Sequence, residues 1–323
     1  MKEKNKNIQN RNLDIQLTRI LAMVFIVLCH LVQQIHIPIV AKLSQFLNVG
    51  VYIFFFISGY LYGDKEIKDK KSWFRQRFII LMIPIYIFLI FIFVVQYMYG
   101  VFQVKYVFIY GLNLQRFFGY SLWLEHLWFM TVIWICYFIT PVLYKNQKLL
   151  TPTFIICFWM VCSLVSYGNK NIGQILFYIS AYLVGYIYKK ESYKTVNNSY
   201  LFLGVAICIF VRLLGLYFLD NTIFYDNIIV FISQIILSIF IYCIIKNYVK
   251  CNFIIKIRNV MNHFDELSFY IYITHCTFIS GPIRMIQLTP YLFINIVIIL
   301  IAIDISALLL QLLSTQLRER IIK

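Results

Sequence analysis

Residues 17–36 read LTRILAMVFIVLCHLVQQIH: an arginine near one end, an imidazole two-thirds of the way along, and otherwise almost nothing that water would stabilise. Twenty mainly apolar residues in a helix cover about 30 Å, the depth of a bilayer's hydrocarbon. An ionisable side chain inside such a segment is costly, so Arg19 and His30 need a reason to be there. Eleven steps of about 100° leave the two only about 20° apart around the helix, with about 16 Å between them along its axis. One helix face therefore carries a cation near one membrane surface and an imidazole near mid-depth. Two readings stay open. Either Arg19 snorkels to headgroups while His30 bonds a neighbouring helix, or the pair shares a functional face.

The whole chain has the same character. Of its 323 residues 62% are hydrophobic and 13% charged, where a soluble domain is about half apolar and a quarter charged, so an ordinary globular fold is excluded. Scanning for spans gives ten stretches: 17–36, 46–63, 78–99, 124–144, 152–168, 173–188, 200–219, 228–246, 267–285 and 290–315. With the N-terminus inside, 23 of the 29 Lys and Arg fall in inner segments and 5 in outer ones, as the positive-inside rule requires. The expected fold is therefore an all-α, ten-span membrane bundle with both ends cytoplasmic. It forms a single transmembrane domain over 1–323, with residues 1–12 as a tail and no appended soluble domain. Net charge is +16; because the cations lie between apolar runs, they point to anionic lipid headgroups and not to nucleic acid. The eight cysteines show no CxxC spacing and mostly lie inside apolar stretches, which suits small core residues and neither disulfides nor a metal site. Abundant Lys, Asn, Ile, Phe and Tyr suggest an A/T-rich genome.

Other polar residues stand out against this background. Asp64 to Arg77 holds six basic residues, and Trp73 and Phe74 place Arg75 and Arg77 at the bilayer surface, where guanidinium groups suit a phosphate. Glu125 and His126 open the fourth span as a possible acid/base pair, although neighbours in sequence do not face each other on a helix. Trp123 and Trp128 suit an interfacial belt. His275 ends the run SFYIYITH in the ninth span; Asp304 lies deep in the last span, with Arg212 or a histidine as candidate partners. His36 and His263 receive no role.

Together these stretches resemble the membrane-bound acyltransferase 3 family. The first span, from Leu17-Thr-Arg19 to His30, is similar to that family's opening helix, with ten residues between Arg and His. VYIFFFISGY at 51–60 resembles its second-span FF-x-SG-[FY] signature. Trp73-Phe-Arg75-Gln-Arg77 with Pro84-Ile-Tyr86, then His126-Leu-Trp128-Phe129 with Tyr137 and Pro141, resemble its third and fourth spans. Phe177 to Tyr186 and Tyr270 to His275 resemble later segments. Two positions depart from the pattern: Gln16 stands three before Arg19 where an acid is usual, and Arg77 is followed three later by Ile80, with Arg75 two before.

The resemblance implies transfer of an acyl group, usually acetyl, from cytoplasmic acetyl-CoA to a hydroxyl on an extracytoplasmic glycan, with capsular or other surface polysaccharide favoured. No metal is expected, and the setting is a bacterial plasma membrane. Arg19, Arg75 and Arg77 would hold the polyanionic nucleotide of the donor, with Ser58 and Gly59 allowing close approach of helices or the acyl chain. Arg19 and His30 would be catalytic, His30 as general base or as carrier of an acetyl group. A nucleophilic Ser58 has no Ser-His-acid order to support it. Glu125, His126 and Trp128 would line the acceptor mouth, and His275 would support the core. The competing class is a polytopic transporter or flippase of a glycan or lipid-linked precursor; no internal repeat and no paired broken helices speak for it.

Overall fold

The computed structural model describes residues 13–35, 37–191, 196–220, 222–249 and 258–322, and has no strand among them. His36 lies outside the described residues. The helices are α1 Leu13–Gln33, α2 Pro38–Leu47, α3 Val49–Tyr60, α4 Lys70–Met98, α5 Lys105–Gly111, α6 Gln115–Phe118, α7 Trp128–Lys145, α8 Pro152–Gly168, α9 Lys170–Glu191, α10 Asn198–Phe218, α11 Val230–Tyr248, α12 Arg258–Ile279 and α13 Leu292–Ile322.

Helix covers all ten stretches that the sequence marks, but spanning length and hydropathy are met at six: Leu13–Gln33, Lys70–Met98, Glu125–Lys145, Asn198–Phe218, Tyr225–Tyr248 and Leu292–Ile321. Ser44–Tyr60 and α8 are apolar but shorter. Helix starts follow side-chain chemistry. Asp69 accepts from the Ser72 amide at the start of α4, Thr151 from Phe154 before Pro152 in α8, and Asn197 from Ser199 in α10. The helix expected at 267–285 runs earlier, as α12, and ends at Ile279 before Gly281 and Pro282; the Gly281 amide turns back to the Cys276 carbonyl at 2.7 Å. Outward faces are hydrocarbon-facing, as on α10, where Leu203, Ile207, Phe210 and Leu214 recur at helical spacing and are exposed.

The described chain gathers into two compact units, one holding residues 1–26, 45–66 and 135–265, the other 27–44, 67–134 and 266–323. In the first unit α9 lies against α3. A Cβ added at Gly59 would stand 1.9 Å from the Tyr182 carbonyl oxygen, and one at Gly185 1.9 Å from that of Phe56, so both helices approach at backbone contact. Aromatic rings fill the space around this seam, with Tyr60 and Tyr242 at 4.9 Å and Phe177 and Phe231 at 5.0 Å between ring centroids. In the second unit α4 packs along α13, and the connection from α4 to α7 contains two short helices, α5 and α6, that the sequence leaves as loop. The seven described cysteines are free, and all but Cys157 are buried, as core residues.

Candidate active site

In the first unit, the start of α1 is tied to the start of α12 by a short ladder. Gln16 donates to Asn262 at 3.1 Å, and one turn later Arg19 holds the Asp265 carboxylate at 2.9 Å, with the Asp265 side chain 1% exposed. The acid missing at position 16 is thus supplied from 246 residues away. Asp14 has its own partner, accepting from the Tyr242 hydroxyl at 3.0 Å. Arg19 is a paired cation with one third of its side chain exposed, not a bare charge.

Arg212, buried in α10, donates to the Gln45 carbonyl at 2.9 Å and stacks over the Phe46 ring. Gly59 admits a helix: the space beside it is filled by the Tyr182 backbone, which leaves no room there for a donor. Ser58, its neighbour, is half-buried on α3.

The second unit gathers three histidines that lie far apart in sequence. The His30 ring, near the end of α1, stands 5.1 Å from that of His275 on α12, and His126 stands 5.3 Å from His275 on another side. His275 is fully buried and His126 6% exposed. Backbone carbonyls can only accept, so they assign the tautomers. His126 donates from Nε2 to the Ile273 carbonyl at 2.9 Å, which leaves Nδ1 as a buried lone pair with no hydrogen-bond partner. His275 donates from Nδ1 to the Tyr272 carbonyl at 2.7 Å, so its Nε2 accepts, at present from the weak donor Cys276 Sγ at 3.3 Å. Gln33, one turn beyond His30, donates to Cys29 Sγ at 3.7 Å. The cluster therefore presents nitrogen lone pairs in an apolar interior, ready to receive a proton or a hydroxyl.

How His126 gets there was not visible in the sequence. Glu125–Leu127 form one 3-10 turn; Glu125 points out and is exposed while His126 turns inward, so the two do not form an acid/base pair. Trp123, at φ +67°, takes the left-handed conformation that a bulky residue rarely adopts and bends the chain into this turn. Buried amides brace the loop: Gln96 donates to the Leu122 carbonyl at 2.6 Å, Gln115 to that of Leu127 at 2.6 Å, and the Tyr110 hydroxyl to that of Leu124 at 3.1 Å. The Tyr272 hydroxyl donates to the His126 carbonyl. Gln96 and Gln115 are almost wholly buried among apolar side chains, which was the one available signal. Trp128 is stacked under the Arg116 guanidinium at 5.3 Å, an outer anchor beside the histidines' loop.

At the other end of α4, Arg75 is exposed and lines a cavity of about 270 Å³ with Ser72, Gln76, Ile79 and Ile80. Arg77 stacks on Trp73. A third guanidinium, Arg318 near the end of α13, donates to the Ile80 carbonyl and lies over Tyr270. From Arg77 to Phe88 is eleven residues, about 16 Å of helix, and the Phe88 ring packs 6.2 Å from that of His126. Helix α4 thus repeats the spacing of Arg19 and His30 on α1, within one unit. His30, His275 and Cys276 also bring three donor atoms within 4.8 Å of one another; a tetrahedral zinc, with bonds of about 2.0–2.3 Å, needs them closer, at about 3.3–3.8 Å.

The family model described as an acyltransferase domain matches residues 12–312. No curated protein and no solved structure matches the chain. The match takes in the arginine pair of α4, the loop that carries His126 and the helices that carry His30 and His275. The chain therefore belongs to the acyltransferase 3 family of membrane acyltransferases.

Proposed function

We propose that this acyltransferase moves an acyl group, acetyl foremost, from cytoplasmic acetyl-CoA to a hydroxyl of an extracytoplasmic glycan, with capsular or other surface polysaccharide as the acceptor class. The transporter or flippase reading, drawn from intramembrane ions alone, gives way to the family match. The observation that carries the proposal is the histidine cluster: His126 and His275 buried, with tautomers assigned by the Ile273 and Tyr272 carbonyls, and His30 half-buried beside His275. Intramembrane imidazoles suit a proton-coupled pathway as well; the family match favours the other use, because acyl transfer to an alcohol needs a base at neutral pH.

The reaction then runs as follows. The nucleotide of the donor, polyanionic and excluded from hydrocarbon, sits on Arg75, Arg77 and Arg318. Its uncharged pantetheine arm follows α4 over about 16 Å to the level of the histidines. His30 takes the proton of the acceptor hydroxyl as that oxygen attacks the thioester carbonyl. The lone pair of His275, whose ring stands 5.1 Å from that of His30, accepts from the second N–H of the imidazolium that forms. The C–S bond breaks, and the imidazolium returns its proton to the departing sulfur. Arg19, paired with Asp265, fixes the start of the helix that carries His30. Glu125 and Trp128 border the acceptor's approach. The enzyme lies in a bacterial plasma membrane, with cytoplasmic termini and ten crossings, and needs no metal.

The test is acetyl content of the purified surface glycan by NMR, in cells carrying wild type or His30→Ala at equal protein level. Loss of O-acetyl signal with His30→Ala is expected, at about 10²–10⁴-fold in rate for a general base. Unchanged acetylation would sink the base assignment, and an acetyl-protein adduct trapped in wild type but not in His30→Ala would replace direct attack by a histidine relay.

A further inference from the structure

Helices α8, α9, α10 and α11 of the first unit line an open-sided cavity of about 770 Å³ that the reaction above does not use. Its walls are apolar, and their polar groups are already satisfied: the Trp159 indole donates to Ser180 at 3.1 Å, and the Tyr188 hydroxyl meets Cys243 Sγ at 3.1 Å. Such a space does not hold water, which needs two to four polar partners. Left empty it would cost heavily, because its lining would have no packing partners on one side. Ile156 and Tyr200, both in its wall, are 56% and 70% exposed, so the cavity reaches the surface where a membrane protein meets hydrocarbon.

Its depth and its rim identify the occupant. The lining runs from Pro152 to Trp159 on α8 and from Ile239 to Cys243 on α11; seven residues of helix are about 10 Å, within one leaflet of about 15 Å. Lysines gather at this end of three of the four helices, Lys148 before α8, Lys189 and Lys190 closing α9 and Lys246 closing α11, while α9 opens on Lys170 at its opposite end and α10 carries Arg212. By the positive-inside rule this is the cytoplasmic leaflet, where anionic lipids gather. Lys190 is engaged, donating to the Gln147 and Leu150 carbonyls and pairing with Glu191, and Lys189 pairs with Asp64 at 3.0 Å. Lys246 is different: half-buried, seven residues beyond Ile239 on the same helix face, and close enough to Cys243 to act electrostatically on its thiol, with no carboxylate paired to it among the described residues.

We infer that this cavity is a binding site for one anionic phospholipid of the cytoplasmic leaflet, an acyl chain between α8 and α11 and the phosphate on Lys246. The inference goes beyond the acyl-transfer reading and holds or fails without it.

The experiment uses the full chain, delipidated in mild detergent, and three probes: phosphatidylglycerol, phosphatidylcholine of the same chains, and palmitoyl-CoA. Native mass spectrometry and thermal unfolding read binding. Phosphatidylglycerol is expected to bind one per chain, about tenfold tighter than phosphatidylcholine, and to raise the unfolding temperature. Lys246→Gln should abolish the preference while keeping chain binding, and Ile239→Trp, which fills the cavity, should remove both. Should Ile239→Trp not fold, Val184→Phe takes its place. Equal binding of both lipids to wild type, or full binding to the filled variant, overturns the proposal. Displacement of phosphatidylglycerol by palmitoyl-CoA at equal concentration overturns it in favour of a donor-chain pocket.

Discussion

Arg19 carries a charge whose value depends on Asp265, a carboxylate 1% exposed that has been taken out of water only because a guanidinium meets it. Removing one partner of such a pair strands the other, at a cost of about 3–5 kcal/mol when both are buried and less here, where Arg19 keeps contact with solvent. Asp265→Asn keeps the shape and an acceptor oxygen; Arg19→Ala leaves the carboxylate alone. Thermal unfolding in detergent should therefore fall further for Arg19→Ala than for Asp265→Asn, and Arg19→Ala/Asp265→Asn should recover part of the loss. The same scale governs His126. Its position rests on Gln115 and Gln96, whose amides hold the carbonyls of the loop. Gln115→Leu leaves the Leu127 carbonyl unpaired, and, if the donor is held by Arg75 and Arg77 at the start of α4, the expected result is lower kcat with little change in KM for acetyl-CoA. A merely structural role for Gln115 would instead lower folded yield with kcat per folded molecule intact.

At the scale of the element, apolar runs of about twenty residues announce helices plainly, and α1, α4, α10 and α13 stand where the sequence put them. Legibility stops where helices meet. The FFFISGY signature marks α3 as special but does not say what Gly59 touches; only the fold brings the Tyr182 carbonyl to it. Likewise the Arg19–His30 face could be read from helical spacing, while Asp265, 246 residues on, could not. Nor could Arg318, which looked like one more tail cation and instead reaches the Ile80 carbonyl beside Arg75's cavity. Gly59 tests the packing directly. A methyl there stands 1.9 Å from a backbone oxygen, so α3 and α9 must separate, and overpacking of this kind costs about 1–3 kcal/mol. Gly111, with nothing within 4 Å of an added Cβ, is the control. Gly59→Ala should lower the unfolding temperature clearly, and Gly111→Ala should leave it within the spread of ordinary surface changes, about 0.5 kcal/mol.

For the molecule as a whole, charge and chemistry have to agree on which side is which. The basic stretch Lys65 to Arg77 and the arginine near the end of α13 fall on the side that the charge bias names cytoplasmic, and that is where a CoA ester is made available. If Arg75, Arg77 and Arg318 hold the donor's phosphates, they act on binding in ground and transition state alike. Their loss then raises KM for acetyl-CoA and leaves kcat nearly unchanged. Each substitution to Gln removes a charge-assisted contact, and such hydrogen bonds are worth about 1.5–3 kcal/mol, so KM should rise by about tenfold or more for each of Arg75→Gln and Arg77→Gln. Arg318→Gln should do less, since one of its N–H groups already serves Ile80. Salt provides the second reading. Added sodium chloride should raise the wild-type KM and have a weaker effect on Arg75→Gln/Arg77→Gln, because screening acts on the charges that remain. A fall in kcat at constant KM would move these arginines from the donor's phosphates to the reacting atoms. An unchanged KM with an unchanged salt response would remove the donor from this end of the helix and leave Arg19 to hold it alone.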